Sequence, residues 1–143
     1  MKSPIKFDKE DFTLAWSHNE KGSYYKQEYL RKNETLNKFL KMITVDLLIT
    51  NVNIKSVVSD KLNEIKARKK NDPVVNYQLV ENPSKDEFIL DFVINQGEIY
   101  EWNLYRYKSI ITNKGKGVLL FAFTYRRNND QKIEHFFTFL KKK

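Results

Sequence analysis

The residue types of this sequence that are most often used in catalysis are two histidines and two isolated aspartates. His18 and His135 have no partner ligands at a metal-binding spacing, and the chain contains no cysteine. General acid–base catalysis commonly uses a histidine or a pair of carboxylates in one pocket, and the spacing here places no such pair together. We therefore expect two surface histidines, no catalytic residue, no metal site and no cofactor, in a protein that is not an enzyme.

The two aspartates, Asp46 and Asp91, each interrupt an otherwise apolar run that is typical of a strand. A buried aspartate is costly unless it is paired or hydrogen-bonded, and burial raises its pKa. On a half-exposed strand the same side chain faces solvent, which is the arrangement that we favour for both. Glu98 and Glu101, on either side of Tyr100, are expected to be ordinary surface charges.

The strongest binding feature is a combination of aromatic and basic residues on two neighbouring strands. Strands of this kind stack bases and hold phosphates in sheet platforms. The first of these strands carries residues 102–108. Alternation places Tyr105 and Tyr107 on one of its faces and Trp102, Arg106 and Lys108 on the other, so one platform cannot use them all. The alternative is a set of packing aromatics with charges at the strand edges. The candidate binding surface consists of Trp102, Arg106, Lys108, Arg126 and Arg127.

These residues belong to a stretch, residues 88–125, that predicts the centre of a sheet. It contains three strand-like runs, which are broken at Gln96-Gly97 and again at residues 113–117. Two short glycine-containing breaks between such runs predict an antiparallel meander. The third run, residues 118–125, is apolar on both faces, which predicts a central strand with helices on both sides.

The other elements can be placed from periodicity and from turn or capping residues. Residues 12–30 predict a hairpin, preceded by an extended N-terminal segment over residues 1–11. Asn33 is suited to cap a helix that begins at Glu34, and a strand is predicted over residues 43–49. Apolar positions from Ile54 to Ile65 have helical spacing, and a strand is predicted over residues 74–80. Residues 130–142 predict a terminal helix, with a strand through residues 135–140 as the alternative.

Together these elements predict one α+β domain over residues 1–143. Its antiparallel sheet has about six or seven strands, with two or three helices packed on it. The chain has 41% hydrophobic and 14% aromatic residues, enough to bury a core without disulfides. The absence of an apolar run of about 20 residues predicts no transmembrane segment.

The net charge of +8, from 26 basic and 18 acidic residues, suits nucleic acid, an anionic surface or an acidic partner. The basic excess is not gathered into one arm, so we favour a merely soluble cationic surface as the explanation. The first residues would suit a chain from which a signal peptide has been removed. In that case we expect a periplasmic or secreted protein, and otherwise a cytoplasmic one.

A motif near the first predicted helix resembles a group of small bacterial envelope proteins. It consists of Glu28-Tyr29-Leu30, Glu34-Thr35-Leu36, Phe39 and Met42-Ile43-Thr44-Val45. In that group a strand ends in Glu and an aromatic residue, a capped helix with an aromatic follows, and Met-x-Thr enters the next strand. The element order also resembles the PsbP-like αβα sandwich. The resemblance implies this fold and an envelope location, and it carries no catalytic constellation.

These observations favour a non-catalytic binding or accessory domain of a bacterial envelope or secreted protein, which recognises an unknown protein partner or small ligand. The alternative is a basic protein that binds nucleic acid or an anionic surface. Its contacts would be the basic residues at 66–70, Arg126 with Arg127, and the three lysines at 141–143.

Overall fold

The computed structural model describes residues 4–128, and this part of the chain is mostly β-structure. Alternating apolar residues form eight strands, and one stretch with helical spacing forms the helix α1. The elements are β1 (Ile5–Phe7), β2 (Glu10–Glu20), β3 (Tyr24–Leu30), β4 (Lys41–Ile49), α1 (Ile54–Arg68), β5 (Asn76–Glu81), β6 (Glu87–Gln96), β7 (Ile99–Thr112) and β8 (Gly115–Asn128).

The strands form one sheet in the order β1-β2-β3-β4-β8-β7-β6-β5, with every neighbouring pair antiparallel. The predicted meander is confirmed as β6, β7 and β8. Its last strand is central, as predicted, because β8 lies between β4 and β7. Two turns connect the meander, and Gly97 and Gly115 in these turns have positive φ angles of 62° and 122°, which glycine adopts without steric cost.

Strand β8 is apolar on both faces, so each face of the sheet must be covered. On the side that we call the helix face, Ile54, Val58 and Ile65 of α1 pack against β6 and β7, for example against Leu90. Asn53 caps this helix by accepting a hydrogen bond from the amide of Lys55 (2.7 Å). The helix predicted from the spacing of Ile54 to Ile65 is therefore confirmed.

The opposite face, which we call the hairpin face, is covered by the hairpin of β1 and β2. The ring of Phe7 in β1 lies 5.7 Å from that of Phe121 and 4.6 Å from that of Phe123, both in β8. Four inter-strand steps separate β1 from β8, a distance of about 19 Å in a flat sheet. The contact therefore requires the sheet to curl. A bulge interrupts the register of β2 with β3 between Leu14 and Trp16, and such a bulge bends its strand and increases the local twist.

The predicted fold class is therefore wrong. Among residues 4–128 there is one helix rather than two or three, and a hairpin instead of a second helix layer covers the opposite face. An eight-stranded curled sheet replaces the predicted αβα sandwich of about six or seven strands. The extra strand is β1, which lies in the segment predicted to be merely extended. Asp8 and Lys9, both with positive φ, form the turn that returns the chain into β2.

The predicted helix at Glu34 is the second error. Residues 31–40 form a loop that contains one isolated bridge, between Thr35 and Lys38. Asn33 has a φ angle of +68°, whereas a helix-capping residue needs an extended backbone. The carboxylate of Glu34 bonds back to Arg31 and forward to Leu40, so it organises a loop instead of a first helical turn.

Two further predictions concern the terminal segment and membrane-spanning helices. The terminal helix or strand over residues 130–142 lies outside the described residues, and so does His135. No helix in the described part of the chain is both long and apolar enough to cross a membrane.

The curl of the sheet makes a testable prediction about stability. Phe123 is 1% exposed and contacts Phe7, Phe12 and Trp102. We expect Phe123→Ala to lower the free energy of unfolding by about 3–5 kcal/mol, measured by chemical denaturation. The control is Ile111→Ala, because Ile111 is 85% exposed, and its effect should stay within about 0.5 kcal/mol. Equal, small effects of the two substitutions would contradict the proposed packing.

Candidate functional site

The five residues of the predicted binding surface do not form one surface. Trp102 is 4% exposed and lies in the core of the hairpin face. Arg106 and Lys108 are exposed farther along the same face, and Arg106 pairs with Glu87. Arg126 and Arg127 are consecutive in β8, so their side chains leave opposite faces of the strand. Both nevertheless line one cavity at the end of β8.

Two cavities meet at Arg126. The first, of about 510 Å³, lies between the loop and the end of β8, and its described lining consists of Asn33, Glu34, residues 37–40, Ile99, Arg126, Arg127 and Asn128. The second, of about 420 Å³, is lined by Ile94, Gln96, Ile99, Glu101 and Arg126. We call the two together the Arg126 cleft. Ile99 and Arg126 line both cavities, so the two cavities adjoin at these residues.

Three contacts, one with β7 and two with the loop, hold Arg126 in place. Its Nε donates a hydrogen bond to Oε2 of Glu101 in β7 (2.6 Å). Its guanidinium carbon lies 4.4 Å from the ring centroid of Phe39 in the loop, a cation–π contact. Its backbone amide donates to the carbonyl of Leu40 (2.6 Å). The side chain is 40% exposed, and its two terminal NH₂ groups make no hydrogen bond to a residue in the range 4–128.

A partly buried chain of hydrogen bonds orients the carboxylate of Glu101. The hydroxyl of Thr124 donates to Oδ1 of Asn103 (2.8 Å), and Nδ2 of Asn103 donates to Oε1 of Glu101 (2.9 Å). Asn103 is 2% exposed. A satisfied polar network in a buried setting is rigid. Each oxygen of Glu101 therefore has a fixed donor, one from Asn103 and the other from Arg126.

The loop beside Arg126 is organised by Glu34. Its carboxylate accepts two hydrogen bonds from Arg31, at 3.0 and 2.9 Å, and one from the amide of Leu40 at 2.9 Å. Burial by itself raises the pKa of Glu34, but the hydrogen bonds from Arg31 and Leu40 outweigh it and leave the pKa below its usual value. Because Phe39 directly precedes Leu40, these bonds also position the ring on which Arg126 lies.

The chemistry of the cleft favours binding of an anion. The terminal NH₂ groups of arginine match the oxygens of a carboxylate or a phosphate. Lys38 and Arg127 add positive charge, and the side-chain amides of Asn33, Asn37 and Asn128 add hydrogen-bonding capacity. Within the described residues, no group of three or more His, Cys, Asp and Glu side chains is arranged to hold a metal ion.

Both aspartates that the sequence singled out are half-buried, between the two arrangements considered for them. Asp46 lies on the helix face of β4, where its Oδ2 accepts a hydrogen bond from the hydroxyl of Tyr24 (3.1 Å). Its Oδ1 is shielded from solvent and has no hydrogen-bond partner among the described residues. Burial raises the pKa of Asp46, opposed by the charge of Lys26 and by the bond from Tyr24.

Sequence reasoning missed Glu34, Phe39 and Glu101 as parts of a site. Glu34 and Phe39 were present in the envelope-protein motif, so a usable signal existed, but it was interpreted as helix capping. Glu101 had no such signal, because its role depends on the pairing of β7 with β8, which places it opposite Arg126.

The low pKa of Glu34 predicts how the loop responds to acid. A carboxylate with a lowered pKa stabilises the folded state above its ordinary pKa, and this contribution is lost as the pH falls through the folded-state value. We expect Glu34→Gln to cost roughly 1–3 kcal/mol at pH 7 and progressively less in acid, measured by denaturant unfolding at several pH values. A cost that does not fall as the pH is lowered through and below the ordinary glutamate pKa would contradict this role.

Asp46 predicts the opposite pH dependence. A carboxyl group with a raised pKa binds its proton more tightly when folded, so stability is lost as the pH rises from the ordinary Asp pKa through the raised value. Asp46→Asn should remove this loss. Its stability relative to the unmodified protein should therefore increase from acid to neutral pH in the same unfolding measurement. A difference that is independent of pH would count against a raised pKa.

A protein-family model matches the chain over residues 1–143. No curated protein matches it, and no solved structure does. The family match indicates no activity, ligand or partner, so any function must be argued from the residues and their geometry.

Proposed function

We propose that this chain, which belongs to the family whose model matches residues 1–143, is a non-catalytic binding domain. Its ligand presents a carboxylate or a phosphate to Arg126. The observation that carries the proposal is the fixed position of this guanidinium. Its Nε bonds to Glu101, its face lies on Phe39, and Arg126 lines two adjoining cavities.

Preorganisation is the physical argument for binding. An arginine side chain carries about 2 kcal/mol of rotamer entropy, and a free arginine loses much of it when it binds an anion. Arg126 has already lost this freedom in the folded protein, because Glu101 and Phe39 restrain it. An anion that enters the cleft therefore gains charge-assisted hydrogen bonds with a smaller entropic cost.

The charge around the cleft supports attraction of anions. Glu101 balances one positive charge and Glu34 is paired with Arg31, whereas Lys38 and Arg127 have no ion pair within the described residues. The basic last turn of α1 lies at the same end of the molecule. Lys66 and Arg68 are the basic residues of this turn. Arg68 is paired with Asp72 and also donates to the carbonyl of Asn95 (2.9 Å), next to the cleft residues Ile94 and Gln96. Clustered charge of one sign raises the local concentration of counter-ions.

The same cluster favours nucleic acid as a second candidate ligand, because the basic turn of α1, Arg126 and Arg127 lie at one end of the sheet. A polynucleotide would contact many of these cations, whereas a small anion needs chiefly Arg126. The two ligands therefore differ in how strongly salt weakens their binding. The periplasmic or secreted location stays a prediction of the sequence.

The test compares two arginine variants in calorimetric titrations with inorganic phosphate, citrate and a short single-stranded DNA. Arg126→Gln should weaken binding of phosphate or citrate at least about tenfold, or 1.4 kcal/mol, because it removes the charge and both terminal NH₂ groups. Arg106→Gln is the matched control, since Arg106 is an exposed, ion-paired arginine on the opposite face.

The titrations can support the proposal, refute it or favour the second candidate. A loss confined to Arg126→Gln supports the proposal. Equal losses in both variants, or no binding of phosphate or citrate at low salt, would refute it. DNA binding that falls steeply with salt and depends little on Arg126 would favour the nucleic-acid candidate instead.

A further inference from the structure

The two ends of the sheet differ in how their backbone edges are protected. At one end, β1 has only three residues, and the free part of β2 carries the bulge between Leu14 and Trp16. Short strands and bulges both discourage pairing with another chain. At the other end β5 pairs with β6 in continuous register through six residues. It contains no proline, lysine or bulge, and Glu81 is its one charged residue.

Several large apolar side chains at this edge are exposed to solvent. Leu79 is 38% exposed, Val80 is 49% exposed, and Ile89, which pairs with Val80 on the neighbouring strand, is 37% exposed. A regular, apolar strand edge of this kind is a template for a further strand.

Backbone geometry identifies which groups point outwards. Beyond the end of β5, the amide of Asn82 donates to the carbonyl of Glu87 in β6 (3.1 Å). Successive residues of a strand point their N–H and C=O groups in opposite directions within the sheet. Gln78 and Val80 therefore face β6, as Asn82 does, and the groups of Tyr77, Leu79 and Glu81 face outwards. Only the outward amide of Tyr77 has a partner in the described structure, the side chain of Asn76.

We propose that β5 pairs with β5 of a second copy of this chain, antiparallel and centred on Leu79, to give one continuous sixteen-strand sheet (twice the eight described strands). In this register Leu79 meets Leu79 across a two-fold axis, and both of their outward groups bond reciprocally. Tyr77 of each copy meets Glu81 of the other on the helix face. No other register pairs all three outward residues of both copies.

Self-complementarity is the reason for choosing a second copy as the occupant. A two-fold axis perpendicular to the sheet keeps each face in place, so Leu79 and Tyr77 remain on the helix face and Val80 remains on the hairpin face. Cross-strand pairs of this kind contribute about 0.2–1 kcal/mol each. Six residues from each copy bury less surface than the total of about 1,600 Å² that a standard interface buries. The net charge of +8 on each copy also opposes association. The dimer is therefore weak and becomes tighter with added salt.

The test measures association of the full chain by sedimentation equilibrium, at low and high salt and up to millimolar concentration. Leu79→Lys places two like charges at the two-fold axis and should lower the association constant at least tenfold. Leu79→Pro removes an amide that points away from β6, so it should prevent dimerisation while the β5–β6 pairing is kept. Ile111→Lys is the control, because it adds the same charge at a residue that is 85% exposed elsewhere.

Hydrogen exchange on the unmodified chain keeps the proposal testable even if both Leu79 variants fail to fold. The amides of Leu79 and Glu81 should become protected as the protein concentration rises, whereas the Ile111 amide should not. A monomer at millimolar concentration in high salt would overturn the proposal. So would equal weakening by Ile111→Lys, or exchange at Leu79 and Glu81 that is independent of concentration.

Discussion

The structure depends on the need to cover both faces of β8. This strand lies at the centre of the sheet and places Val118 on one face and Phe121 and Phe123 on the other. Burial of apolar surface stabilises the folded state by about 25 cal/mol per Å², so both faces of β8 need to be covered. On one side α1 provides the cover. On the other side the sheet supplies its own cover, by curling until Phe7 of β1 reaches the aromatic residues of β8.

The Arg126 cleft follows from the position of β8 in the sheet. Pairing with β7 places Glu101 opposite Arg126, and the chain that enters β4 on the other side brings Phe39 and Leu40 against it. Glu34 shapes that entering loop through bonds to Arg31 and Leu40. The arginine is therefore held by strand pairing on one side and by loop structure on the other, and neither support involves α1.

Sequence patterns predicted the elements whose signals are local. Alternation marked the meander of β6 to β8, and the apolar spacing after Asn53 marked α1. The patterns failed where the outcome depends on distant partners. Leu36, Phe39 and Leu40 fit one helical turn, but the ring of Phe39 binds Arg126, 87 positions later (126 − 39). The sequence grouped Arg126 with Arg106 in one candidate surface, whereas the pairing of β7 with β8 places the two arginines on opposite faces. Nothing local indicated that Glu101 would hold Arg126.

The nuclear magnetic resonance signal of the Arg126 Nε–H group tests most directly whether this arginine is a preorganised anion receptor. A restrained, hydrogen-bonded Nε–H exchanges slowly and gives its own resonance. During a titration with inorganic phosphate, the account predicts that this signal and the amides of Phe39 and Leu40 shift together and saturate, while the Nε–H signal of Arg106 stays in place. Small shifts spread over the lysine-bearing surface, with the Arg126 signal unchanged, would contradict it.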